Sequence, residues 1–398
     1  MENAASVLTL RYSHLVNQPS PTPSRLERLV PLLKLDPENL PLHRDCVELA
    51  MQAGDYALAL QLVDARLTRH PSEAESLFKR SNVLIALNRC VEAIEILKSL
   101  EDLGVAPQAV WENLATCHFA LGQYENVRAY TEKLVAAGGP SASSLFVAIS
   151  SLHHLGAMDD AAAFAEAHAA AAALDPHFAG ACALVYLDMN KPAKAKEFAD
   201  LALERDPDNL SGLTVTATLA ATDLETEQAF RQYSRVLERS PDNGRAHLGL
   251  GLLVMLTRDF PKAQEHLRRA TELMPTHLGS WHALAWAHFF AQDLAGAEKY
   301  FSRALEIDRT FGESHGAMAA IHAIKGDIAT AEREIEIAQR LDRAGNSAQF
   351  ARAVLVARAQ GPEASRQFML GAIRALASQL GGKPGDVLTK MTDPQRRS

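Results

Sequence analysis

Apolar and polar positions follow the period of amphipathic α-helices along most of the chain, in short segments separated by turns. The stretch from Ser280 to Asp308, SWHALAWAHFFAQDLAGAEKYFSRALEID, predicts two helices joined at Gln292-Asp293. Its first helix carries two apolar stripes at helical spacing. The first stripe is Trp281, Leu284, Ala285 and His288, and the second is Trp286, Phe289 and Phe290. One stripe is enough to bury a surface helix, so the second predicts a further contact.

The pattern recurs every 34 residues from Leu40 to Gly345 without an insertion, which gives nine consecutive units. The twentieth position of a unit is almost always alanine: Ala59, Ala93, Val127, Ala161, Ala195, Ala229, Ala263, Ala297 and Ala331. The eighth position is small in most units, as in Ser81, Ala115, Ala183, Ala217, Gly251, Ala285 and Ala319. Small residues at these positions let two helices approach closely. The sequence therefore predicts a repeat array built from pairs of packed helices.

Turn residues punctuate the same frame. Within a unit, a Gly, Asn or Asp marks the turn between its two helices, as at Gly54-Asp55, Asn88 and Gly326-Asp327. Between units, the sequences DPEN, DPDN and SPDN, which end at Asn39, Asn209 and Asn243, stop one helix and cap the next. No β-strand pattern competes with this alternation of short helices and short turns.

These residues resemble the tetratricopeptide repeat family, whose 34-residue signature is Trp-x2-Leu-Gly-x2-Tyr, then Ala-x3-Phe, then Pro. The unit that begins at Leu278 matches it with Trp281, Leu284 and Ala285, followed by Ala297 and Phe301. Departures occur in the tyrosine position, which holds His118, His288 and His322, and in the proline position, which holds Arg309 and Arg343. The resemblance implies an all-α fold, a right-handed superhelical solenoid of helix-turn-helix repeats whose first helices line a concave groove.

The ends of the chain are expected to cap the array, because terminal repeats must cover an apolar face that no neighbour covers. Residues 1–39 are predicted to form an N-terminal segment and a capping helix, and residues 40–345 the nine repeats. Residues 346–382 are predicted to form two capping helices, about Ala348 to Ala359 and Glu363 to Leu380, and residues 383–398 a flexible tail.

Composition narrows the class of protein. The 398 residues carry a formal net charge of −8 with charges of both signs interspersed, which argues against nucleic acid as a partner. The N-terminus lacks the pattern of a signal peptide, and the alanine-rich tract from Ala161 to Leu187 is too polar to insert in a membrane. We therefore expect a cytoplasmic protein, and the alanine content suggests a bacterial source.

No catalytic motif is present in the sequence. It contains no phosphate-binding Gly-rich loop, Gly-x-Ser-x-Gly, His-Glu-x-x-His or Cys-x-x-Cys pattern. The four cysteines are far apart, which favours buried reduced thiols, and the densest histidines, such as His153-His154, fit packing or surface positions better than a metal site. We expect no cofactor, no metal and no enzymatic activity.

The candidate site comes from the resemblance, which implies that positions two, five, nine, twelve and thirteen of each repeat face the groove. In the Leu40 repeat these positions are polar, with Arg44, Glu48 and Gln52. Toward the C-terminus they become apolar, and the predicted partner-binding residues are Leu248, Leu252, Met255, Leu256, His282, Trp286, Phe289, Phe290 and Ile324. Apolar patches of this kind mark interaction sites, and an amphipathic helix or peptide segment of another protein is the expected ligand.

The sequence leaves other interpretations of the same residues open. The apolar side chains could dock the chain's own helix from Glu363 to Leu380, form a homodimer, or bind a small apolar molecule. The array could also select substrates for a separate catalytic polypeptide of glycosyltransferase or sulfotransferase type. Incubation of the purified protein with nucleotide-sugar or sulfate donors distinguishes an enzyme from a scaffold.

Overall fold

The computed structural model describes residues 22–343, 345–364 and 367, and all regular structure among them is helical. The fold is an all-α solenoid of helix–turn–helix repeats. The chain divides into two compact units, Met1–Gln232 and Tyr233–Ser398, with the division inside a helix, Thr226–Arg239.

The first unit consists of antiparallel helix pairs in its described residues. Its helices are α1 (Thr22–Leu35), α2 (Leu40–Gln52), α3 (Tyr56–Leu67), α4 (Ala74–Ala86), α5 (Cys90–Asp102), α6 (Pro107–Ala120), α7 (Tyr124–Ala136), α8 (Ala142–His154), α9 (Met158–Ala167), α10 (Ala169–Ala172), α11 (Pro176–Asp188), α12 (Pro192–Arg205), α13 (Leu210–Thr222) and the start of α14 (Thr226–Arg239).

The second unit contains the remainder of α14 and continues the alternation. Its other helices are α15 (Gly244–Leu256), α16 (Phe260–Leu273), α17 (Leu278–Phe290), α18 (Leu294–Ile307), α19 (Gly312–Lys325), α20 (Ile328–Leu341) and α21 (Asn346–Gln360). The two helices predicted between Ser280 and Asp308 are α17 and α18, separated at Gln292-Asp293.

Asparagine caps start the first helices after the DPEN, DPDN and SPDN sequences. The Oδ1 atoms of Asn39, Asn209 and Asn243 accept backbone N–H groups at distances of 3.0, 2.9 and 2.9 Å. Each cap satisfies one of the backbone donors that a helix N-terminus leaves without an intrahelical partner. The linker sequences therefore fix where α2, α13 and α15 begin.

The turn inside each repeat has the same backbone conformation at its fifteenth position. There φ is positive, in the left-handed region, at Gly54, Asn88, Gly122, Gly156, Asn190, Leu224, Arg258, Gln292 and Gly326. Glycine and asparagine tolerate this conformation, which explains six of the nine residues. The other three residues carry side chains that the conformation disfavours.

Close helix packing explains the small residues of the repeat. All nine residues at the twentieth position, from Ala59 to Ala331, are completely buried. A Cβ atom added to Gly251, at the eighth position, would lie 2.6 Å from Cγ of Leu267 and 3.4 Å from the carbonyl oxygen of Ala263. The first and second helices of a repeat approach closely there, so a larger side chain would push them apart.

The second helix of one repeat is not continuous, as the repeat pattern predicts, but is interrupted at His168, between α9 and α10. The Nδ1 atom of His168 lies 2.9 Å from the carbonyl oxygen of Phe164, and the two rings contact each other at a tilt of 36° with centroids 4.3 Å apart. A side chain that bonds to the carbonyl four residues earlier competes with the backbone ladder. This local contact accounts for the break.

Candidate functional site

The nine predicted site residues lie on three first helices of the second unit, α15, α17 and α19. Five of them are half-buried: Leu248, Met255, His282, Trp286 and Phe289. The other four are exposed, with exposed fractions of 44% for Leu252, 66% for Leu256, 50% for Phe290 and 36% for Ile324. We call these four the exposed apolar row.

The exposed apolar row follows the ends of the first helices. Leu256 is the last residue of α15, Phe290 is the last of α17, and Ile324 is the next to last of α19. They hold the thirteenth position of three successive repeats, and Leu252 lies one turn before Leu256. Large apolar side chains thus remain accessible at the same end of each first helix.

Leu248 and Met255 instead pack partly against the interior of their own unit. They contact the buried cluster that contains Val254, Leu267 and Leu284. Leu248 and Met255 therefore form a closely packed surface beside the exposed apolar row.

His282 is tied to the following repeat. Its Nε2 atom lies 2.8 Å from Oγ of Ser314, and its ring meets Phe301 and Phe311 edge-on at centroid distances of 5.0 and 5.2 Å. Burial among these groups lowers the pKa of His282 to about 4, so the imidazole is neutral at pH 7. It contributes a polar but uncharged group to the predicted site.

An aromatic cluster surrounds Trp286. The indole lies 5.1 Å from Phe289, 5.6 Å from Phe290 and 5.3 Å from Phe301, measured between ring centroids. Phe290 is also stacked 6.4 Å from Phe260, the first residue of α16. Edge-to-face and offset pairs at these distances are favourable, so the cluster holds the Phe290 ring in place.

Phe350, which the sequence analysis did not assign to the site, completes this cluster. Its ring lies 5.8 Å from Phe289 and 6.2 Å from Trp286. It belongs to α21, whose first residue, Asn346, stands 34 residues after Gly312, so α21 begins where the frame would start another first helix. Extending the frame by one unit puts Phe350 at the fifth position, which the resemblance assigns to the groove. The repeat pattern therefore contains a signal for this residue, although the segment was predicted to be a cap.

A glycine permits this contact. A Cβ atom on Gly316 of α19 would lie 2.4 Å from the backbone nitrogen of Ala348 and 2.8 Å from the carbonyl carbon of Ser347. Since α19 and α21 meet at backbone distance, α21 comes close enough for Phe350 to reach the cluster. Part of the second stripe of α17 is therefore covered by the chain's own α21. The predicted helix from Glu363 to Leu380 is the alternative occupant of this apolar surface. Apart from residues 363, 364 and 367, it lies outside the described residues.

Some predicted groove positions of the first unit carry polar side chains with partners, such as His153 and Asn82, whereas others are apolar, such as Phe78 and Phe146. His153 Nε2 lies 2.8 Å from Oδ2 of Asp188, and Nδ2 of Asn113 donates to Oδ1 of Asn82 over 2.6 Å. The ring of His154 stacks on Tyr124 at 4.6 Å. The nine predicted site residues all lie in the repeats that contain α15, α17 and α19.

Among residues 22–343, 345–364 and 367, no three His, Cys, Asp or Glu side chains converge as a metal site. The four cysteines, Cys46, Cys90, Cys117 and Cys182, are buried and free. Within the same ranges no helix combines the length and apolar character needed to cross a bilayer.

Solved structures with similar folds include three proteins at low sequence identity. The MamA RS-1 ArsTM double mutant is 16% identical with a TM-score of 0.35, and the match covers 42% of this chain and 95% of that one. Pseudomonas aeruginosa pilF is 18% identical with a TM-score of 0.41, covering 50% and 91%. The APC/C hetero-tetramer Cut9-Hcn1 is 12% identical with a TM-score of 0.46, covering 87% and 81%.

Family models give the clearer result. No curated protein matches the sequence. Two models described as tetratricopeptide repeat do match, one at residues 47–106, 214–276 and 256–310, the other at residues 181–209. Repeats of this type are typically non-catalytic scaffolds for protein interaction. The matched segments lie in both compact units and within the 34-residue frame, and the chain contains tetratricopeptide repeats.

Proposed function

We propose that this protein is a non-enzymatic scaffold or adaptor that docks an amphipathic segment of another protein on its exposed apolar row. The observation that carries the proposal is the exposure of Leu252, Leu256, Phe290 and Ile324 at the ends of successive first helices, between 36% and 66%. Burying such side chains against an apolar partner removes that surface from water, which is the main favourable term in protein association.

The geometry favours a helix or an extended peptide with one apolar face. Leu252 and Leu256 stand one helical turn apart, and Phe290 occupies the position of Leu256 in the next repeat. A ligand with apolar residues at regular spacing can contact several of these side chains at once.

The support behind Phe290 makes it the expected anchor. Its ring stacks with Trp286 and with Phe260 at centroid distances of 5.6 and 6.4 Å, so little side-chain freedom is left to lose on binding. Aromatic anchors in packed surroundings commonly dominate interface energies. Leu248, Met255, His282, Trp286 and Phe289, which are half-buried, form the wall around the row and add contact through their accessible edges.

Binding of synthetic peptides tests the proposal. The probe is a fluorescent peptide with a leucine and phenylalanine face at helical spacing and glutamine elsewhere, and its control is the same composition in scrambled order. We expect the patterned peptide to bind the full chain more tightly than the scrambled one. The double variant Leu256→Ser with Phe290→Ser should weaken binding at least about tenfold, a loss of roughly 1.4 kcal/mol.

Leu341→Ser is the matched control, because Leu341 is 43% exposed on α20, outside the row. It should bind the peptide as the unmodified protein does. Equal binding of the patterned and scrambled peptides, or unchanged binding by the double variant, would overturn the docking site. Turnover of a nucleotide-sugar or sulfate donor by the purified protein alone would overturn the non-enzymatic assignment.

A further inference from the structure

A charged residue occupies a strained position beside the exposed apolar row. In the second unit the fifteenth repeat position is Arg258 with φ of 63°, Gln292 with φ of 65° and Gly326 with φ of 90°. A residue with a Cβ atom is disfavoured in this left-handed conformation, and a long side chain gains nothing from it locally. Residues kept in such conformations occur preferentially at functional sites.

The turn that contains Arg258 adjoins the apolar side chains of the site. Arg258 lies between Leu256, the last residue of α15, and Phe260, the first residue of α16. The ring of Phe260 is stacked 6.4 Å from Phe290. The guanidinium therefore extends from a backbone position at the edge of the exposed apolar row, and the residue is exposed.

Carboxylates of the same turn and of the next repeat have other partners. Asp259 accepts the backbone N–H of Lys262 at 3.2 Å, and Asp293 accepts that of Gly296 at 2.9 Å while its other oxygen lies 2.7 Å from His288. Glu298 pairs with Lys325. No carboxylate in the described parts of the chain forms an ion pair with Arg258.

We propose that Arg258 is a specificity-determining residue that pairs with a carboxylate of the segment docked on the exposed apolar row. The partner is therefore an acidic amphipathic segment, with Asp or Glu flanking its apolar face. This inference rests on the proposed function, because it names the chemistry of the ligand at the same site. A guanidinium forms stronger hydrogen bonds to a carboxylate than to a neutral amide, so it discriminates by charge.

The experiment uses three peptides with the same leucine and phenylalanine face and with Glu, Gln or Lys at the flanking polar positions. Their affinities are measured by fluorescence anisotropy against the full chain and against Arg258→Asn, Arg258→Lys and Arg340→Gln. Asparagine suits the turn, since Asn88 and Asn190 hold the same position with φ of 59° and 55°. Arg340, on the exposed surface of α20, is a control for the loss of one positive charge.

We expect the Glu peptide to bind on the order of tenfold more tightly than the Gln peptide, and the Lys peptide to bind most weakly. Arg258→Asn should remove the preference for Glu while leaving the affinity for the Gln peptide and the melting temperature unchanged or higher. Arg258→Lys should keep part of the preference, and Arg340→Gln should keep all of it.

The outcomes separate the two proposals. Tight binding of the Gln peptide without any preference for Glu supports the docking site and overturns the role of Arg258. A preference for Glu that survives in Arg258→Asn also overturns that role. Failure of all three peptides to bind the unmodified chain overturns the docking site, and the inference falls with it.

Discussion

The ring of Phe350 lies 5.8 Å from the ring of Phe289, centroid to centroid, with an interplanar angle of 77°. This edge-to-face contact joins α21 to the aromatic cluster of α17. It is the point at which the chain covers part of its own second apolar stripe, and the close approach at Gly316 makes it possible. The uncovered remainder, which includes Phe290, is what an external ligand can reach.

Replacing Phe350 with alanine should destabilise the second unit. The half-buried ring contacts both Trp286 and Phe289, so its loss should reduce the free energy of unfolding by about 2 kcal/mol, below the range for a fully buried phenylalanine. Phe350→Leu keeps most of the volume and should cost less than half as much. Chemical denaturation followed by circular dichroism measures both, and an unchanged Phe350→Ala midpoint would show that α21 does not depend on this contact.

Two Arg–Glu pairs in the first unit allow a comparison of buried and exposed ion pairs. Arg66 binds Glu73 through two hydrogen bonds of 2.6 Å, with side chains only 6% and 23% exposed. Arg44 binds Glu75 in the same two-pronged manner, with side chains 47% and 38% exposed. Hydrogen bonding to Arg66 lowers the pKa of Glu73 to about 2.

Glu73→Gln should therefore cost about 2–3 kcal/mol of unfolding free energy, because it leaves the Arg66 guanidinium buried without its counter-charge. The control, Glu75→Gln, should cost less than about 1 kcal/mol, because water solvates both partners of the exposed pair. Denaturant titrations at neutral pH compare the two variants. Equal losses would mean that burial does not set the strength of these pairs.

Much of the fold follows from periodicity, and particular residues show why. Ala263 and Gly251 occupy small positions of the 34-residue frame, and the structure puts both where two helices meet. Asn243 ends an SPDN sequence and caps α15, because its side chain accepts a backbone N–H of the next turn. Such features depend on contacts between residues less than one repeat length apart in the sequence.

The depth of burial at the site could not be predicted in the same way. His282 and Leu252 both hold groove positions in the frame, yet His282 bonds to Ser314 of the next repeat and Leu252 remains exposed. The difference depends on the side chains that the neighbouring repeats supply. The contact that Phe350 makes with the aromatic cluster could not be predicted for the same reason, since Gly316 determines how closely α21 approaches α19.

Acidification should weaken the second unit through His282. Burial lowers the pKa of this histidine from 6.5 to about 4, so below pH 6.5 the unfolded chain binds more protons at this position than the folded chain. The stability contribution is complete above pH 6.5 and decreases as the pH falls toward 4, by roughly 2–3 kcal/mol in all. The variant His282→Gln can still bond to Ser314 and does not titrate. Its unfolding free energy should fall less steeply between pH 6.5 and 4.5, and parallel curves for the two proteins would contradict the assignment.

Trp281 shows how a ring at the fourth repeat position binds the loop that precedes its helix. Its Nε1–H donates to the carbonyl oxygen of Pro275 over 2.9 Å, and its ring lies 6.1 Å from Tyr300. His247 and His315 place Nε2 at 2.9 and 3.0 Å from the equivalent carbonyl oxygens. A ring N–H at this position therefore satisfies the same backbone acceptor in three successive repeats.

The frame alone predicts an inter-helix tryptophan whose replacement by alanine costs about 3–5 kcal/mol. Because the side chain is only half-buried, we expect Trp281→Ala to cost about 2–3 kcal/mol, including the lost hydrogen bond. Trp281→His should restore the donor and cost about 1 kcal/mol, whereas Trp281→Phe keeps a ring without the donor and should fall between the two. Thermal and denaturant unfolding of the three variants gives the order. If Trp281→Phe proves as stable as Trp281→His, the hydrogen bond to Pro275 contributes nothing, and ring packing against Tyr300 alone holds the position.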